Sequence, residues 1–106
     1  MKENKFQSQL IKDIKARFTG AIVLKNDANY IQGIPDLLIL HNKKWAALEC
    51  KQSAKAGHQP NQDYYVDKMN EMSFARFISP ENKEEVLDEL EKTFRPRRTA
   101  RIPKSE

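Results

Sequence analysis

The chain has 106 residues, 39% of them hydrophobic and 32% charged, which suits one domain that buries roughly 60 to 70% of its unfolded surface and leaves no room for a second. A single cysteine, Cys50, excludes an intrachain disulfide. No Cys/His cluster has zinc-site spacing, no apolar run reaches the ~18 to 20 residues of a membrane span, and MKENKFQSQ lacks a signal-peptide centre. The chain thus reads as cytoplasmic, without membrane contact. The net charge of +4 is concentrated at one end: from Arg95 onward five basic residues face one acid, whereas residues 1–94 hold 14 of each sign. The predicted division is a formally neutral domain over 1–94 and a basic tail over 95–106.

In chain order, Phe6, Leu10, Ile11, Ile14 and Phe18 fall on one face of a helix over 3–18, ended by Thr19-Gly20. Three strand-length apolar segments follow, AIVLK at 21–25, DLLIL at 36–40 and WAALECK at 45–51, each bounded by turn formers. Gly33 is expected to allow the turn that delivers Pro35 and Asp36 to the second strand. Tyr65, Met69 and Met72 mark a helix from about Asn61, ARFIS at 75–79 a fourth strand closed by Pro80, and Val86, Leu87, Leu90 and Phe94 a last helix over 81–94. The fold class is α/β, with element order αβββαβα, a mixed sheet and helices on both faces.

His41-Asn42-Lys43-Lys44 has the form of a hairpin turn. With its centre between 42 and 43, opposed residues sum to 85, so Asp36 faces Glu49. Lys51 lies two residues beyond Glu49, on the same face by strand alternation. Two acids and a lysine then gather at the end of an otherwise apolar sheet. Opposed carboxylates repel unless a cation lies between them, and Mg²⁺ takes hard oxygen ligands while keeping waters and phosphate oxygens in its shell. This is the chemistry of phosphodiester hydrolysis, in which Lys51 orients the attacking water or stabilises charge on the phosphate.

GIPDLLIL at 33–40, WAALECK at 45–51 and QPNQDYYV at 59–66 resemble, in this order, the motifs of the VRR-NUC (virus-type replication-repair nuclease) family of the PD-(D/E)XK nuclease superfamily. The resemblance covers about residues 3–94. It implies a restriction-endonuclease-like core, a Mg²⁺-dependent endodeoxyribonuclease with Mn²⁺ as substitute, no small-molecule cofactor, and a homodimer acting on branched DNA in a bacterial or phage-infected cell. Residue by residue, it implies that Asp36 and Glu49 bind metal together with the backbone carbonyl of Cys50, and that Lys51 is the lysine of the ExK strand. It further implies that Gln62 serves the site from the next helix, and that Glu3 adds an acid from the first helix, with Gln7 one turn later. A catalytically silent DNA-binding module of the same fold is the alternative.

Outside the site, Lys55 in the loop AKAGHQPNQ and Arg95, Arg97, Arg98 and Arg101 in the tail are expected to contact DNA phosphates. Phosphate contacts by all five basic residues of the tail would give a log-log salt slope of about −4.5. His41 at the turn and His58 in the loop read as surface residues.

Overall fold

The computed structural model describes residues 2–96. Its elements are α1 (Glu3–Arg17), β1 (Ile22–Lys25), β2 (Leu37–His41), β3 (Lys44–Cys50), α2 (Pro60–Met72), β4 (Phe74–Ile78) and α3 (Lys83–Phe94). The expected order stands, with most boundaries shifted by a residue or two. The four strands form one mixed sheet in the order β1-β2-β3-β4, antiparallel except for β4, which runs parallel to β3. A parallel neighbour requires a crossover, and α2 supplies it. Among the described residues no helix is long and apolar enough to cross a membrane.

The hairpin between β2 and β3 sets the register. Asn42 and Lys43 both take positive φ, 51° and 65°. This is the two-residue turn whose twist matches antiparallel strands, and Asn tolerates the left-handed conformation well. The pairs Leu37↔Leu48 through His41↔Lys44 follow from it.

One sheet face is fully covered. Phe6, Leu10, Ile14 and Phe18 of α1 and the following residue meet Leu37, Ile39, Ala46, Leu48 and Cys50 of the sheet and Val86, Leu87, Leu90 and Phe94 of α3, all buried. Spacings of three and four on the helices and of two on the strands bring these residues onto single faces. Arg17, near the end of α1, ties the two helices through Asp88 and Glu91, and Lys83 bonds Asp13. These pairs are partly exposed and contribute modestly.

The other face is covered less than its apolar character predicts. α2 packs chiefly on β3 and β4, where Val66 meets Ala47 and Ala75 beside Trp45, Met69 and Phe77. Beyond its reach Ile22 is 56% exposed, Leu24 44% and Leu40 37%. Because Ile22 pairs with Leu40, Leu24 with Leu38, and Leu40 with Trp45, these side chains share one face. Leu38, Leu40, Trp45, Met69 and Met72 line an open apolar groove of about 390 Å³ on it.

Candidate active site

The site lies where the β2–β3 ladder ends, at the opposite end from the hairpin. The ladder closes at Leu37↔Leu48, so Asp36 stands one step beyond it rather than inside β2 as expected. Its reason is local chemistry. The register would next set Pro35 opposite Cys50, and Pro35 has no N–H to give. Asn26, just after β1, holds this stretch instead: its N–H donates to the Asp36 carbonyl at 2.8 Å and its Nδ2 to the Pro35 carbonyl at 2.9 Å. The Asp36 carboxylate then accepts the Cys50 N–H at 2.8 Å. The Cys50 N–H and carbonyl point to the same side of the strand, so this carbonyl faces Pro35 and has no ladder donor opposite it.

Gly33 makes this approach possible. Its φ is +89°, and a Cβ placed there would come within 2.6 Å of Cγ and 2.7 Å of Cβ of Asn61 at the start of α2. Glycine alone fits both the conformation and the contact.

Glu49 and Lys51 are 4% and 8% exposed. Strand alternation turns both toward α2, where Gln62 connects them: Gln62 Nε2 donates to Glu49 Oε2 at 3.0 Å, and Lys51 Nζ donates to Gln62 Oε1 at 2.7 Å. A second Lys51 proton goes to the Gly57 carbonyl at 3.1 Å, and the Gln59 N–H also donates to Gln62 Oε1 at 3.0 Å. Gln62 is thereby part of the capping box that starts α2, with Gln59 as N-cap and Pro60 in the first turn. Helix start and site share one side chain.

The carboxyls are held above their ordinary range. Burial, reinforced by the Asp36 charge, pushes Glu49 up to about 8, against a smaller opposing pull from Lys51. Asp36 is raised by burial despite the Cys50 N–H, and Glu3 by partial burial and by the Asp36 charge. Glu3 stands exposed in the first turn of α1, close enough to Asp36 and Lys51 to feel both charges. Gln7, one turn on, bonds the Cys50 thiol, whose pKa burial also raises.

Among the described residues no three His, Cys, Asp or Glu side chains converge as a metal cluster. The donors that do meet are two carboxylates and one strand carbonyl, all hard oxygens. Such a set suits Mg²⁺ or Mn²⁺, which keep several waters, better than it suits zinc, which favours nitrogen and sulfur. Ionising a buried and a half-buried carboxylate side by side is costly, and a divalent cation offsets that cost.

Of the other expected contacts, Lys55 is exposed in the loop after β3. Arg95 lies at the far end of the sheet, with its N–H bonded to the Glu91 carbonyl and its guanidinium 3.6 Å from the Glu91 carboxylate. Arg97, Arg98 and Arg101 fall outside the described residues. His41 is no plain surface residue: its ring packs edge-on against Phe94 and tilted against Phe18, with centroids 5.4 and 5.9 Å apart. His58 is exposed as expected, but it is not without partners. Its ring stacks on Phe77 with centroids 3.7 Å apart, and Nδ1 lies 2.9 Å from the Asp63 carboxylate. The HxxxxD spacing across a helix start was the only available signal, and it is weak alone.

Comparison of the chain with protein-family models, with curated proteins and with solved structures gives no match.

Proposed function

We propose that the chain is a Mg²⁺-dependent DNA endonuclease with a restriction-endonuclease-like core of the VRR-NUC type. The observation that carries this reading is the joining of Glu49, Gln62 and Lys51 in one hydrogen-bonded unit next to Asp36, at the open end of the sheet. The sequence motifs at 33–40, 45–51 and 59–66 meet there. Support comes from the chemistry of the groups: a buried and a half-buried acid with raised pKa values favour cation binding, and a buried lysine bonded only to neutral acceptors has no acid paired with it.

Asp36, Glu49 and the Cys50 carbonyl would hold the cation. When bound, it supplies Lewis-acid polarisation of the phosphodiester and a lowered pKa for the attacking water. Lys51 has one ammonium proton beyond the two given to Gln62 and Gly57. This proton faces the phosphate and stabilises the negative charge that builds on its oxygens as the new P–O bond forms and the old one breaks. Gln62 holds Lys51 and Glu49 at fixed spacing, and Glu3 adds negative charge at the edge. The formally neutral domain keeps its acids for the cation, and the basic tail adds DNA affinity.

The exposed apolar face of β1 and β2 supports a homodimer, and two active sites suit a branched DNA substrate. The test is cleavage of labelled four-way junction, flap and duplex DNA with Mg²⁺ and with EDTA, by wild type, Asp36→Asn and Lys51→Ala. Cleavage by wild type with Mg²⁺ alone is the expected result. Wild-type binding without cutting in either Mg²⁺ or Mn²⁺ would overturn it in favour of a silent DNA-binding module.

A further inference from the structure

Lys51 also lines a second space, a half-open cleft of about 130 Å³ that it shares with Ser53, His58, Phe77, Ser79 and Asn82. At ~30 Å³ per water it holds roughly four waters, too little for a nucleobase and enough for a tetrahedral anion. Its walls are fixed. His58 is held on Phe77 and on Asp63. Asn82 donates to the Phe77 carbonyl and accepts the Ser79 N–H at 3.1 and 2.8 Å, and Glu81 takes the Ala54 N–H at 3.0 Å, which pins the loop after β3.

Three polar groups line the wall. Lys51 adds its ammonium charge, its third proton being turned to the adjacent, scissile phosphate. Among the described residues the Ser53 hydroxyl makes no hydrogen bond to protein. His58 engages Asp63 through Nδ1, leaving Nε2, which donates when both ring nitrogens carry a proton. An ammonium, a hydroxyl and an imidazole around a small space suit a phosphate group.

Building on the hydrolase reading above, we propose that this cavity seats the phosphodiester group next to the scissile one, with His58 and Ser53 as its dedicated contacts. Lys51 lines both places, so a strand presenting one phosphate to the cation brings its neighbour to His58. His58 is here a substrate-positioning residue.

The test uses the full chain and duplex or junction DNA carrying a single neutral methylphosphonate at each backbone position in turn. His58→Asn keeps an N–H for Asp63 and removes Nε2, and Ser53→Ala removes the hydroxyl. Binding is read by fluorescence anisotropy in Ca²⁺ across salt concentrations, and cleavage in Mg²⁺. Losing one contact should lower the log-log salt slope by about 0.9. In the expected result, kcat/KM falls about tenfold in His58→Asn while kcat at saturating DNA stays within about twofold. One methylphosphonate next to the cleaved bond should weaken wild type and weaken His58→Asn clearly less. If wild type cuts DNA but His58→Asn matches it in slope, kcat/KM and methylphosphonate sensitivity, the subsite is wrong and the hydrolase reading survives. If wild type cuts nothing, the hydrolase reading fails and the subsite with it.

Discussion

Lys51 Nζ sits 2.7 Å from Oε1 of Gln62, a residue that also donates to Glu49 and caps the helix it begins. One amide therefore sets the spacing of an acid and a base from different steps of β3 and ties both to the start of α2.

Gln62→Ala should lower both stability and cleavage, by separable amounts. Loss of the capping contact costs about 1 kcal/mol of unfolding free energy. Release of Lys51 and Glu49 from fixed geometry should lower kcat about 10²-fold. Urea titration and single-turnover cleavage measure the two. A stability loss with full kcat would reduce Gln62 to a helix cap.

Metal-free stability should fall as pH rises. A carboxyl whose pKa is about 8 when folded, against an ordinary 4.5, binds its proton more tightly in the folded chain. The unfolded chain then loses that proton first, so folding weakens between about pH 4.5 and 8, by on the order of a few kcal/mol from Glu49. Glu49→Gln keeps an acceptor for Gln62 and abolishes this slope. The check is urea unfolding in EDTA at pH 5, 6, 7 and 8, where the variant should be the more stable protein at pH 8. Parallel pH profiles for the two would remove Glu49 as the cause.

Gly33→Ala should cost about 2 to 4 kcal/mol, combining left-handed strain with overlap against Asn61. Gly20→Ala is the control. Its φ of +91° is equally left-handed, but a Cβ there meets nothing within 4 Å, so strain alone applies and about 1 kcal/mol is expected. Thermal unfolding of both variants separates conformation from contact. Equal losses would mean that the approach of the 31–35 loop to α2 carries no special requirement.

The contrast between these sites shows what the sequence reveals. Element order was legible from strand-length apolar runs between turn formers, and the β2–β3 register from a turn whose residues suit positive φ. The position of Asp36 one step beyond the ladder was not, because it depends on Asn26, just after β1, binding the Pro35 and Asp36 carbonyls. Nor was the role of His58, whose partners Asp63 and Phe77 meet it only once α2 and β4 are packed. The apolar run in β2 predicted cover for both faces, but how far α2 extends over Leu38 and Leu40 is a property of helix placement that periodicity does not carry. Gln62 was found through family resemblance, since a glutamine in a helix has no distinguishing pattern of its own.

The open apolar face predicts self-association. A second copy that pairs Ile22, Leu24, Leu40 and Met72 across a two-fold axis would bury the most exposed aliphatic side chains of the sheet face. Leu40→Glu and Ile22→Lys place charges there without touching the buried core. Light scattering after size exclusion should give a dimer for wild type and a monomer for the double variant, with an unchanged far-ultraviolet circular dichroism spectrum. A wild-type monomer at 100 μM-scale concentration, about the upper range for a functional dimer of this kind, would show that this face serves another purpose.

Removal of the basic tail should weaken DNA binding without changing the chemical step. The last described residues are anchored at the hairpin: Asn42 Nδ2 donates to the Phe94 carbonyl at 3.0 Å, and Lys44 Nζ to the Thr93 and Arg95 carbonyls at 2.9 Å each. Asp36, Glu49 and Lys51 lie at the other end of β3, about 20 Å away at ~3.3 Å per residue. The chain after Pro96 therefore starts far from Asp36, Glu49 and Lys51, and on the proposed reading its charges would act on DNA flanking the cleaved bond. A chain ending at Pro96 lacks Arg97, Arg98, Arg101 and Lys104. If each contacts a phosphate, the log-log salt slope falls by about 3.6, and Kd at low salt rises steeply. At saturating DNA, kcat should match the full chain. A drop in kcat would place a tail residue at the reacting phosphate, and an unchanged slope would leave the tail outside the DNA interface.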